Sequence, residues 1–224
     1  MGTVWDYTYS SLFGATLPPS PIVTNTGLLL SWGSAPQSSL TIQTPLLNLQ
    51  ATTNGPQADG TLLTHLNNPI SGSPLSFAQL LSQVIFTPFS PSVGPAQPAF
   101  NLTLDINFAK TPNTLPCASV GRPACSDIFV LTTPLPQVTS FLFDGWNYEV
   151  AFAPKLGLAA LTVGECGAAG APAGCLGFVT QEGASTDMQI GFTINASPVP
   201  EPGSLALLGL GLLSLVVARR RQQV

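Results

Sequence analysis

Leu102-Thr103-Leu104-Asp105-Ile106-Asn107-Phe108 alternates apolar and polar side chains without a break. Successive side chains of an extended chain point to opposite faces. The period of two therefore places Leu102, Leu104, Ile106 and Phe108 on one buried face, and Thr103, Asp105 and Asn107 on the other. Residues 147–152 repeat the pattern with Tyr148, Val150 and Phe152 inward, and residues 188–194 read as a last strand. Weaker strand candidates lie at 27–32, 40–43, 127–131, 138–143 and 176–180. Turn signals separate them: Asn54-Gly55, Asp59-Gly60, Asp144-Gly145 and many of the 22 prolines. One segment departs from the pattern. In residues 76–86, Phe77, Leu80, Leu81, Val84 and Ile85 fall at helical spacing between Pro74 and Pro88, and Ser76 with Gln79 supplies a capping box. A helix is expected there, with a strand as the alternative. Many short strands broken by turns predict an all-β fold, an antiparallel β-sandwich of jelly-roll-like form, with no internal repeat.

Charge is scarce. Asp, Glu, Lys and Arg make up 7% of the chain, against about 25% in ordinary globular proteins. Before the C-terminal tail the basic residues are Lys110, Arg122 and Lys155, facing nine acidic ones. Such a body does not attract nucleic acid, which demands clustered cations. Its surface must be covered by Ser, Thr, Asn and Gln, a chemistry that suits secreted β proteins and contact with polysaccharide. The four cysteines stand in two close pairs separated by Gly-, Pro- and Ala-rich loops. Of the three possible connectivities, Cys117–Cys125 and Cys166–Cys175 close the shortest loops and are expected in an exported protein. The competing zinc site is disfavoured by the absence of Cys-x-x-Cys spacing and the presence of a single histidine. No metal or cofactor is expected.

The C-terminus has its own logic. Residues 203–218 form an uncharged apolar run, followed directly by Arg219, Arg220 and Arg221. As a helix the run reaches about 24 Å, a little short of a hydrocarbon core of roughly 30 Å. Long arginine stems reaching to the head groups make up part of the difference. A single transmembrane helix is expected, with the basic tail cytoplasmic and the body across the membrane. Pro200-Glu201-Pro202 ahead of it stays extended, because proline is excluded from helix interiors and disfavours helix in the residue before it. Pro-Glu-Pro, apolar helix and arginine cluster, in that order at that end, resemble the PEP-CTERM sorting signal of Gram-negative bacteria. The resemblance implies recognition by exosortase, removal of the tail, and transfer of the body to the envelope or extracellular matrix. The implied organisation is an exported domain at 1–194, a linker at 195–202, a transmembrane helix at 203–218 and a basic tail at 219–224. Residues 1–20 carry neither a basic start nor an apolar stretch of leader length. The chain is therefore expected to be a trimmed form, or to begin late in its reading frame.

The single histidine lies in Thr64-His65-Leu66-Asn67-Asn68-Pro69-Ile70, shortly after Asp59-Gly60. Thr64, His65 and Asn67 match the motif of the THxN group of PEP-CTERM proteins. Trp5, Trp32-Gly33, Cys117 and Asp127-Ile128-Phe129 extend the resemblance over most of residues 5–195. In an extended segment His65 and Asn67 share a face, and all three motif side chains can hydrogen-bond. A polar brace, with His65 buried and bonded to loop carbonyls or to Asn67, is the leading expectation. A ligand site for sugar hydroxyls or a metal is the sharper alternative.

Enzyme readings have little support in the sequence. Gly-x-Ser-x-Gly, HExxH, P-loop and Rossmann patterns are absent. Asp105 and Glu149 are the conceivable glycosidase carboxylates, but both fall at polar positions of alternating strands. Trp5, Trp32 and Trp146 could stack on sugar rings, with Trp146 foremost because it follows the Asp144-Gly145 turn. The expectation is an exosortase-sorted, non-catalytic structural or adhesive component of a biofilm or exopolysaccharide matrix. A carbohydrate-binding module is the alternative, and a secreted hydrolase ranks third.

Overall fold

A computed structural model describes residues 2–17, 22–34, 36–43, 46–111 and 126–199. The fold is all-β, with two antiparallel sheets enclosing a shared core. The strands are β1 (Val4–Leu17), β2 (Ile22–Asn25), β3 (Leu29–Trp32), β4 (Ser38–Ile42), β5 (Leu46–Thr52), β6 (Ala58–Leu66) and β7 (Phe77–Ser90). They continue with β8 (Phe100–Ala109), β9 (Asp127–Leu131), β10 (Gln137–Phe143), β11 (Trp146–Leu156), β12 (Ala159–Ala160), β13 (Leu176–Thr180) and β14 (Ser185–Pro198). One short helix, α1 (Val163–Ala168), precedes β13. The first sheet runs β12-β13-β9-β8-β7-β1-β5, and the second runs β10-β11-β14-β6-β4-β3-β2.

The alternation read from the sequence sets the core. Leu102, Leu104, Ile106 and Phe108 of β8 are buried from one side, and Tyr148, Val150 and Phe152 of β11 from the other. Trp5 sits at one end of the core, edge-on to Phe141, Phe143 and Tyr148 at 5.3, 5.3 and 4.9 Å, with its indole N–H donated to Thr53 Oγ1 at 3.0 Å. A small polar contact also crosses the core: Ser11 of β1 and Ser82 of β7 share hydroxyl hydrogen bonds with Thr61 of β6 at 2.6–3.1 Å.

Residues 76–86 form a strand and not the expected helix. β7 lies between β1 and β8, where Leu80 pairs with both Phe13 and Leu104. Ala78, Leu80, Ser82, Val84 and Phe86 are all buried, a period of two that includes the polar Ser82. The helical spacing of Leu80, Leu81, Val84 and Ile85 arises because the outer face of this central strand also carries Leu81 and Ile85. Two neighbouring strands supply more backbone bonding and burial than a lone helix could, so tertiary pairing overrides the local pattern.

Two of the turn signals hold and one does not. Asp144 (φ 50°) and Gly145 (φ 75°) make the two-residue hairpin between β10 and β11, where both residues need positive φ. Asn54 (φ 57°) and Gly55 lie between β5 and β6. Asp59-Gly60, in contrast, lies inside β6 opposite a register shift in β14. Glycine is required there because a Cβ would collide with the Ile190 carbonyl oxygen and press on the Tyr9 ring. β14 also runs through 195–198, pairing with β11 as far as Trp146–Pro198, so the sheet occupies half of the stretch expected as linker.

Cys166–Cys175 is a disulfide, tying α1 to the start of β13 as the spacing suggested. The α1 N-terminus carries a reciprocal capping box between Thr162 and Glu165. Cys117–Cys125 lies outside the described residues, as do Pro200-Glu201-Pro202, the apolar run and the arginines. Among the described residues no helix is long and apolar enough to cross a membrane.

The strand at β7 has a direct test. Leu80→Ala should lose about 2–5 kcal/mol of stability, as a fully buried leucine does. Leu81→Ala, on the outer face, should lose about 1 kcal/mol or less. Chemical denaturation of both variants checks this, since a helix burying both leucines would make the two losses similar.

Candidate functional site

β6 carries the histidine motif. It lies between β14 and β4, where His65 pairs with Thr186 and Leu40. Its inward face reads Thr61, Leu63, His65, and the alternation continues past the strand end to Asn67. His65 and Asn67 are thus both fully buried on one face, as the spacing predicts. Thr64 faces outward, donating to Asp187 Oδ1 at 2.6 Å across to β14 and accepting from Gln43 at 3.3 Å.

His65 is not bonded as the brace reading expected. Its ring stacks on Trp32 (5.9 Å, 5°), meets Phe108 edge-on (5.3 Å), and packs against Phe129 (5.0 Å) and Phe178 (6.2 Å). Neither ring nitrogen has a protein hydrogen-bond partner among the described residues. Burial among these rings, helped by the positive charge of Lys110, lowers its pKa from 6.5 to about 3. The imidazole is therefore neutral in the folded protein at any ordinary pH.

Asn67 is the actual brace. Its backbone N–H donates to Ala184 O (2.9 Å), its carbonyl accepts from Gly183 N–H (2.8 Å), and its side-chain amide donates to Thr180 O (3.1 Å). These bonds fasten the end of β6 to the turn between β13 and β14. Asn68 fastens the next residue to Ser38 and Gln37 beside β4.

Lys110 completes the cluster. It follows β8 in phase with Leu104, Ile106 and Phe108, so it enters on the inward side. Its ammonium lies 3.2 Å from Asp127 Oδ2, 2.7 Å from Glu182 Oε2, 3.2 Å from Asn67 Oδ1 and 3.4 Å from Asn68 O. Only 12% of the Lys110 side chain is exposed, and none of that of Asp127. Asp127 also accepts from Thr111 N–H at 3.1 Å. Burial pushes the Asp127 carboxyl up from 3.8 to about 6, against the opposing pull of Lys110 and the Thr111 bond. β9 behind them is apolar on both faces, because Ile128 and Val130 pack under α1 while Phe129 and Leu131 enter the main core.

The other candidates separate. Trp5 and Trp32 are core residues, unable to meet a sugar. Trp146 is 44% exposed, lining a cavity of about 360 Å³ with Asn54, Ser92 and Asp144. Asp105 and Glu149 point away from the core on different sheets, and Asp105 accepts a bond from Gln79 at 3.0 Å. No sequence motif marks Lys110 or Glu182 as site residues. The one signal was that Lys110, among the few cations, falls in phase with a buried alternation.

Comparison with known proteins adds one finding. Residues 198–221 match the PEP-CTERM protein-sorting motif, beginning at the last residue of β14. This marks an exported protein sorted by exosortase. No curated protein matches the chain.

The buried imidazole predicts a pH dependence. The folded pKa (about 3) lies below the unfolded value (6.5), so the unfolded chain takes up the proton first. The stability that depends on neutral His65 is complete above pH 6.5 and is lost as pH falls toward 3. Asp127, raised in the folded state, acts with the opposite sign and is common to wild type and variant. His65→Phe should therefore gain on wild type as pH falls, by roughly 2–3 kcal/mol near pH 4, measured by denaturation across pH 4–7.

Proposed function

Starting from that sorting motif, we propose a surface or exopolysaccharide-matrix protein with a non-catalytic structural or adhesive role, delivered by exosortase. The observation that carries the reading is continuity: Pro198 is at once the end of β14 and the start of the motif. Removal of everything beyond it would leave the two-sheet body whole. Before removal, the apolar run 203–218 anchors the precursor in the inner membrane, and Arg219–Arg221 hold its end in the cytoplasm. The body suits a hydrated matrix. The outer faces of β1, β7 and β8 present Thr8, Ser10, Gln83, Asn101 and Thr103, with Asp6 and Asp105 as the charges among them. Such a surface offers many neutral hydrogen-bonding groups to polysaccharide. The resemblance to the THxN group agrees with this destination.

A carbohydrate-binding module is the second reading, favoured by Trp146 beside the carboxylate, amide and hydroxyl of Asp144, Asn54 and Ser92. An exposed aromatic face next to fixed polar groups is the arrangement that sugar rings take.

Deleting residues 200–224, or the host's exosortase, should change where the protein accumulates, followed by fractionation and blotting. An unchanged distribution would remove the sorting reading. Co-sedimentation of the full chain with the host's exopolysaccharide tests the module. There Trp146→Ala should weaken binding about tenfold, equivalent to roughly 1.4 kcal/mol, and an unsaturable interaction leaves the structural role alone.

A further inference from the structure

We propose that Lys110 and Asn67 join in an intramolecular isopeptide bond that staples the two sheets together. Lys110 follows β8 of the first sheet and Asn67 follows β6 of the second. Among the described residues no other lysine amine lies this close to a buried side-chain amide; Lys155 instead meets the Gln57 carbonyl and Asp59. Lys110 Nζ lies 3.2 Å from Asn67 Oδ1, one bond from the electrophilic Cγ. Asn67 is fully buried and held by three backbone or amide hydrogen bonds, so the carbonyl does not turn away from the amine. Two carboxylates flank the nitrogen, Asp127 at 3.2 Å and Glu182 at 2.7 Å. Fixed proximity of this kind substitutes for a high concentration of reactant.

The chemistry balances without a co-reactant. One Nζ proton of the Lys110 ammonium passes to the Asp127 carboxylate, which leaves a neutral amine. The Nζ lone pair attacks Asn67 Cγ, and the C–N bond forms as the carbonyl pair moves to Oδ1. A second Nζ proton is relayed through the carboxyl groups to Nδ2. The carbonyl re-forms, the Cγ–Nδ2 bond breaks, and ammonia departs, taking up the proton left on Asp127 as ammonium. Nothing is oxidised or reduced. The buried Asp127 carboxyl, with its raised pKa of about 6, is a better proton acceptor than an exposed one would be. Asp127 itself is the poorer electrophile, because a carboxylate resists attack far more than a neutral amide.

A link here has a mechanical meaning. It would cross-join residues 43 apart in sequence and from different sheets, resisting the shear that pulls a sandwich apart. It would also remove a buried cation whose pairing is costly to maintain. For a protein exposed to the outside, a covalent clamp serves where refolding is slow or impossible.

The test is mass spectrometry of the full chain, reduced, then digested with chymotrypsin. The expected result is a branched peptide joining the Asn67 and Lys110 segments, lighter than the two together by one ammonia. Lys110→Arg, which keeps the charge but cannot form the bond, should lack that peptide and unfold at a lower temperature. Separate peptides carrying unmodified Lys110 and Asn67 overturn the proposal. So does a branched peptide to Asp127 with loss of one water. An ammonia loss that persists in Lys110→Arg, as a succinimide at Asn54-Gly55 would give, overturns it equally.

Discussion

A lysine ammonium at the mouth of an apolar core must be compensated, and at Lys110 that requirement organises one end of the molecule. Leaving such a charge unpaired would cost several kcal/mol. The end of β6, the junction of β8 and β9, and the turn before β14 therefore have to meet around one nitrogen. Asn67 links the same turn through its backbone. The register of β6 against β14 and the closure of the two sheets thus depend on each other at this point. With so few charges in the chain, the placement of this one cation carries unusual weight.

His65 sits directly behind the cluster and contributes differently. Its ring is one of five stacked or edge-packed aromatic groups, and its nitrogens find no protein partner among the described residues. A motif histidine is ordinarily read as a ligand, a base or a hydrogen-bonding brace. Here the neighbouring asparagine performs the bracing, and the imidazole is a neutral slab closing the core beneath Lys110. Protonating this buried ring would work against the folded state, so the histidine couples this end of the core to pH.

Function and fold meet at β14. The last strand pairs with β11 to its final residue, and the sorting motif starts on that same residue. A processing signal placed immediately after an element held in a sheet can be cleaved without loosening the body, because no core residue lies beyond it among those described. The hairpin at Asp144-Gly145 receives the end of β14, with Val199 N–H donating to the Gly145 carbonyl at 3.3 Å. Trp146 is therefore brought next to the end of β14, where the sorting motif begins.

Much was determined by the sequence alone. Alternation in 102–108, 147–152 and 188–194 specified strands and their inward faces, because a pleated chain has only two sides. The Asp144-Gly145 hairpin followed from the positive φ that those residues tolerate, the Cys166–Cys175 bridge from a short loop, and the sorting motif from local order alone. Tertiary structure decided the rest. β1 is mostly buried in alternate positions, yet its Tyr, Ser and Thr hid it from a hydrophobic pattern; only pairing with β5 and β7 makes it a strand. Residues 76–86 carried a helical spacing that two neighbouring strands overrode. Asp59-Gly60 looked like a turn because glycine permits one, whereas here it permits the close approach of Ile190. Lys110, Asp127, Glu182 and Asn67 are dispersed across more than a hundred residues, and no local rule joins them. Their meeting is a property of which strands pair, and pairing is a long-range choice made by the whole core.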